Sequence, residues 1–112
     1  MIKVVITERE GKFGLKMTGH AEYSEKGKDI VCASASMLAY TLAQNVLDLD
    51  ESSFLEKKPT ITLKDGNAKV VCQPKGDQYY QCKYLYQIIM QGFHLLALNY
   101  PDNVSVKVLG EA

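Results

Sequence analysis

A two-layer α+β domain, in which two helices cover one face of a five-stranded sheet, is predicted by three observations. Five short stretches are β-branched or alternate apolar with polar residues. Two longer stretches carry apolar residues at steps of three and four. Turn residues separate them in the order ββαββαβ, which places strands and helices in one compact set of layers. At 112 residues, a single domain over 1–112 is expected, burying roughly two-thirds of its surface without disulfides or a structural metal.

Residues 2–7 (Ile-Lys-Val-Val-Ile-Thr) form the first expected strand, ended by Glu10-Gly11. Phe13, Leu15 and Met17 alternate with Gly14, Lys16 and Thr18 and predict a second strand paired to the first as a hairpin. It ends near Gly19-His20-Ala21. Residues 22–28 are polar and aperiodic, and are expected to form an exposed, mobile loop. From Asp29, a good N-cap residue, Val31, Ala35, Leu38, Leu42, Val46 and Leu49 predict an amphipathic helix that frays near residues 50–53. Residues 60–64 and 68–73 predict two strands joined by the turn Asp65-Gly66-Asn67. Cys82, Leu85, Ile89, Phe93, Leu96 and Tyr100 mark a second helix, which Pro101 stops. Val104, Val106 and Val108 give the last strand.

Composition narrows the function classes. Thirteen basic residues balance 13 acidic ones, which argues against a generic nucleic-acid-coating protein, since such binding rests on a cationic surface. No apolar run approaches the roughly 18 residues of a membrane span, and residues 1–7 lack the pattern of a signal peptide. A cytoplasmic location without membrane contact is the default expectation. Three cysteines cannot all pair, and in that compartment they are expected to be free thiols.

Cys32 is the best-placed nucleophile among them. With Asp29 as N-cap it is the third helical residue, in the field of the helix-start N–H groups, which favours a thiolate. His20, at the end of the neighbouring strand, can meet it at the same rim of the sheet as a general base. Ser36 lies one turn beyond Cys32 on the same helix face. Ala33, Ser34 and Ala35 are small and leave room for a substrate backbone, and free N–H groups at the helix start would stabilise an oxyanion. Plainer readings stand beside each of these. A first-turn cysteine can be a small buried hydrophobe, a strand-end histidine a surface residue, Asp29 only a cap, and Ser36 bonded back to its own helix.

The remaining residues carry less. Cys72 and Cys82 fall on apolar stripes and read as core. His94 lies on a partly exposed stripe of the second helix. No closely spaced His/Cys pair indicates a metal site, and no Gly-rich loop joins a strand to a helix, so neither metal nor cofactor is expected. Tyr79, Tyr80, Tyr84 and Tyr86 read as anchors for the helix or for a subunit interface rather than an RNA platform, given only Lys75 and Lys83 nearby.

Gly19-His20-Ala21, then Gly27 and Asp29, Ile30-Val31-Cys32-Ala33 and Ser36 together resemble the signature of the ribosomal-processing cysteine protease (Prp) family. The likeness extends over the whole chain. It implies a cysteine endopeptidase that removes the N-terminal extension of a large-subunit bacterial ribosomal protein, cutting after an aromatic pair, and that forms a homodimer. It implies Cys32 as nucleophile and His20 as its base. Gly19 and Ser36 match positions that shape the site, while Asp29 and Gly27 match motif positions, and Gly19 and Gly27 are candidate hinges of the loop. Ser34 stands where the family carries small apolar residues. The alternatives are a thiol redox sensor built on Cys32 and a non-enzymatic ribosome-associated binding module using the tyrosine-bearing helix.

Overall fold

The computed structural model describes residues 1–110. The element order is β1 (Ile2–Arg9), β2 (Lys12–Thr18), α1 (Ile30–Glu51), β3 (Thr60–Lys64), β4 (Asn67–Cys72), a 3-10 turn (Gly76–Gln78), α2 (Tyr79–Asn99) and β5 (Val104–Gly110). All seven expected elements form. β1 runs two residues past its expected end, and β4 begins one residue earlier because the hairpin turn narrows to Asp65-Gly66.

The sheet order is β3-β4-β2-β1-β5. Neighbouring strands are antiparallel except β1 and β5, which run parallel. The parallel pair exists because α2 carries the chain back across the sheet before β5 begins, which a tight turn cannot do. Register places both residues of every second pair on the helix side. Val4 opposes Met17 and Val106, and Leu15 opposes Ile6 and Val70. The alternation of period two therefore sends Ile2, Val4, Ile6, Phe13, Leu15, Ala68, Val70 and Val104 into the core. Lys3, Lys16, Lys69 and Lys107 take the opposite face.

Both helices cover the apolar face. α1 buries Val31, Ala35, Ala39, Leu42, Ala43 and Val46, and α2 buries Cys82, Tyr86, Ile89, Phe93 and Leu96. Each fully buried large aliphatic or aromatic side chain contributes about 1.5–3 kcal/mol, so this stripe rather than helix propensity holds α1 and α2 in place. α1 also corrects the expectation from run lengths: over 22 residues it is long and apolar enough, by length and mean hydropathy, to cross a membrane. Thr41, Gln44, Asn45 and Asp48 interrupt any uniform apolar run but lie on its exposed face, and its buried stripe packs in the core.

The tyrosines divide. Tyr86 is buried and donates to the Val70 carbonyl at 3.1 Å, and Phe13 packs between Tyr79 and Tyr86 with ring centroids 5.4 Å from each. The Tyr79 hydroxyl donates to the carboxylate of Glu8, a buried residue at the end of β1 that Lys83 also approaches at 3.7 Å. These contacts anchor α2, whereas Tyr80 and Tyr84 point to solvent.

Candidate active site

The site forms where β2 ends, α1 begins and the β3–β4 turn projects. β2 gives way to Gly19, whose φ of +90° favours glycine, and a Cβ there would lie 2.4 Å from the Met1 carbonyl oxygen. This tight passage turns the chain so that His20 points outward, with its side chain 55% exposed. The Gly19 N–H donates to the Gly66 carbonyl at 3.0 Å, tying the end of β2 to the β3–β4 turn. Gly66, at φ +73°, sits directly under the imidazole, and a Cβ there would lie 2.9 Å from His20 Nε2.

Asp29 organises the other wall. It caps α1 as expected, with Oδ1 accepting from the Val31 and Cys32 N–H groups at 3.0 Å each. Its second oxygen accepts from the Tyr23 and Ser24 N–H groups at 2.9 and 3.1 Å. Burial pushes the Asp29 carboxyl up, but the bonds from Cys32, Ser24, Tyr23 and Val31 outweigh it and hold the group below the ordinary 3.8. One carboxylate thus fixes both the helix start and the loop before it.

Two expectations change here. The helix-start amides are not free for an oxyanion, since Val31 and Cys32 donate to the Asp29 side chain and Ala33 to its carbonyl. The Asp29 charge also opposes the helix field at Cys32. Residues 22–28 are exposed, as read from the sequence, but tied down rather than loose. Besides the Asp29 bonds, the Tyr23 ring meets the Tyr100 ring edge-on at 5.3 Å, and Lys26 Nζ donates to Asp65 Oδ2 at 3.1 Å.

Cys32 is half-buried, and its Sγ accepts from the Ala21 N–H at 3.3 Å. Ala21 is itself held by Asn103, whose side chain donates to the Ala21 carbonyl at 2.9 Å. Cys72 and Cys82 are buried with their sulfurs 3.3 Å apart. The hydrogen bond to Cys72, together with burial, pushes the Cys82 thiol up and keeps it protonated.

His20, Asp29, Cys32, Ser36, Gly27 and Asp65 all line one cleft of about 540 Å³, so the structure brings the sequence-predicted residues together. Gly19 lines an adjoining hollow on the other side of His20 with Ser36, Cys32 and Gly66. Among the described residues no hydrogen bond joins His20 to Cys32. Among the described residues Ser36 makes no side-chain bond back to its helix, whereas the Ser34 hydroxyl donates to the Ile30 carbonyl at 2.7 Å. His94 is exposed on α2, away from this cleft. A larger groove of about 740 Å³ runs between α1 and α2; Ala33, Met37, Leu38 and Leu95 line it with no cysteine, histidine or carboxylate among the described residues, and its Ser34 hydroxyl is bonded to the Ile30 carbonyl. Of the two, only the smaller cleft holds Cys32 and His20, and Ala33 lines both. No cluster of three His, Cys, Asp or Glu side chains suited to a metal occurs among the described residues.

Sequence reasoning missed Asp65, Lys26 and Asn103 as parts of the site. Asp65 was visible only as a turn residue, since nothing local indicates that its turn faces His20. Asn103 lies 82 positions from its partner.

The family model described as cysteine protease Prp matches residues 1–105. Among solved structures, the S. aureus essential ribosomal processing protease Prp with a covalently linked product peptide aligns at TM-score 0.74 and 24% identity, covering 97% of this chain and 100% of that one. The same S. aureus protease with a substrate peptide aligns at TM-score 0.69 and 23% identity, with the same coverage of both chains. SMU.848 from Streptococcus mutans aligns at TM-score 0.70 and 25% identity, over 99% of this chain and 96% of that one. A comparison with curated proteins finds no match.

Proposed function

Because the chain belongs to the cysteine protease Prp family, we propose that it is the endopeptidase that removes the N-terminal extension of a large-subunit bacterial ribosomal protein, with Cys32 as nucleophile and His20 as base. The observation that carries this reading is that Cys32 and His20 open onto one cleft together with Ser36. The solved structures of similar fold with product and substrate peptides, described as a ribosomal processing protease, support a peptide tail as the substrate class.

In this mechanism the extended tail lies across the rim between β2 and α1. The Cys32 thiolate attacks the scissile carbonyl carbon, a C–S bond forms, and the carbonyl electron pair moves to oxygen. The Ala21 N–H, released from the sulfur as the C–S bond removes its charge, and the Ser36 hydroxyl serve as donors to that oxyanion in place of the helix-start amides, which stay bonded to Asp29. Collapse breaks the C–N bond as protonated His20 gives its proton to the leaving amine. His20 then takes a proton from water, whose oxygen attacks the thioester and releases the acid and the thiolate. Residues 22–28, held by Asp29, Tyr100 and Asp65, wall one side of the cleft and limit which extended chains can enter. The α1–α2 groove, continuous with the cleft through Ala33, takes the aromatic side chains.

Incubation with a synthetic tail peptide followed by mass spectrometry tests this. Cys32→Ala and His20→Ala are each expected to reduce cleavage to background, with Cys72→Ala and Cys82→Ala retaining it. Cleavage by Cys32→Ala would overturn the mechanism. Leu95→Glu is expected to raise KM about tenfold with little change in kcat, as loss of uniform binding requires.

A cytoplasmic homodimer without direct nucleic-acid contact completes the proposal. The outer face of α2 supports it, since Tyr80, Tyr84 and Ile88 are each at least 64% exposed in the monomer and follow one another at helical spacing. Light scattering after size-exclusion chromatography is expected to give twice the chain mass, and Tyr84→Glu with Ile88→Glu the mass of a monomer. A wild-type monomer would remove this part of the proposal.

A further inference from the structure

Three carboxylates line the cleft, and they differ in what they meet. Asp29 has both oxygens occupied by backbone N–H groups. Glu22 is drawn toward the N-terminal ammonium at 3.9 Å. Asp65 differs from both. Its Oδ2 is held by Lys26 at 3.1 Å, which fixes the carboxylate, while its Oδ1 faces His20 Nδ1 at 3.9 Å.

The turn that bears Asp65 is built around the imidazole. Gly66 carries no Cβ where one would collide with His20 Nε2, and its carbonyl accepts from Gly19, the residue before His20. The other groups near the ring are Lys64 on the hairpin, Glu22 and Lys26 on the loop, and Cys32, Asp29 and Tyr40 on α1. Among these, Asp65 alone brings a carboxylate oxygen within 4 Å of an imidazole nitrogen among the described residues.

We infer that Asp65 is a positioning residue for His20, its carboxylate fixing the Nδ1 edge of the imidazole in the working enzyme. A carboxylate on one ring nitrogen selects the tautomer that leaves the other nitrogen free to exchange a proton, and stabilises the imidazolium formed during the reaction. The gap of 3.9 Å exceeds a hydrogen bond, but the exposed imidazole closes it by a small side-chain rotation. Lys26, through its hydrogen bond and its charge, keeps the Asp65 carboxyl below the usual carboxylate range, so it is ionised wherever His20 works. The role of Asp65 rests on the reading of His20 as the base.

Asp65→Asn keeps the size and turn preference of the residue and removes its charge. The expected result is a fall in kcat of about tenfold with KM within about twofold, and recovery of most of the loss in Asp65→Glu. The second measurement is the ¹⁵N spectrum of the His20 imidazole, in which Asp65→Asn is expected to change the tautomer balance and Asp65→Glu to restore it. Unchanged kcat and an unchanged imidazole spectrum in Asp65→Asn would overturn the proposal. So would equal losses in both variants accompanied by a lowered melting temperature, which would mark Asp65 as a turn former only. If the wild-type protein cuts no tail peptide, the protease reading fails by itself, and the imidazole spectrum still decides whether Asp65 orients His20.

Discussion

Cys32 differs from the other two cysteines in what surrounds it, and that difference has a direct chemical test. It is half-buried on a cleft and accepts from a backbone N–H, whereas Cys72 and Cys82 share a hydrogen bond inside the core. Iodoacetamide is therefore expected to modify Cys32 in the native protein and to reach the other two only after denaturation, with peptide mapping as the readout. Equal labelling of all three would contradict the burial described. At this scale much of the site was legible. Cys32, His20, Asp29 and Ser36 stood out because local spacing and helix-start geometry mark them. Asp65 and Asn103 did not, because each earns its place through a contact 39 or more positions away along the chain, to Lys26 and Ala21 respectively. The oxyanion donors were misjudged for the same reason that Asp29 was recognised. A good cap consumes the amides that it caps.

The elements meet at two points where single substitutions are informative. The start of α1 depends on Asp29, and Asp29→Ala is expected to cost about 1–2 kcal/mol by chemical denaturation. In the folded chain this carboxyl titrates below its ordinary 3.8, so the folded state binds fewer protons than the unfolded chain across that window. Its contribution is complete above about pH 4 and is lost as pH falls through the lower folded value. The difference in stability between wild type and Asp29→Ala should shrink accordingly on acidification. A constant difference down to the acid transition would argue against this account. The β3–β4 turn is the second point. Gly66→Ala adds a Cβ against the imidazole at a positive φ. It is expected to cost about 1 kcal/mol in stability and to lower peptide cleavage far more than that loss of folded protein explains. The period of the apolar residues made all seven elements readable. Their ends shifted by one or two residues because hydrogen-bond register, rather than composition, decides where a strand stops.

At the scale of the molecule, one core joins both helices to the sheet. Phe93 lies at its centre with no exposed surface. Phe93→Ala is expected to lower stability by about 3–5 kcal/mol, a large part of the 5–15 kcal/mol typical of a domain, and to lower the melting temperature without abolishing the secondary structure signal at low temperature. The layer arrangement was readable from element order, but the strand order β3-β4-β2-β1-β5 was not. Alternation shows which face a strand buries and says nothing about its neighbour. The parallel placement of β5 beside β1 depends on where α2 delivers the chain, which is a property of packing.

The bond from Asn103 to Ala21 gives the site a dependence on the order of synthesis. Ala21 presents the N–H that Cys32 accepts, and its own carbonyl is held by a residue just ahead of β5. β1 likewise has β5 as one neighbour, so its second edge stays unpaired until residues 104–110 have left the ribosome. A nascent chain that already contains Cys32 and His20 therefore lacks the support of the segment between them. Contacts this distant in sequence also close slowly. Cys32 is translated early, but the bond that holds its partner Ala21 can form only once residue 103 has been made.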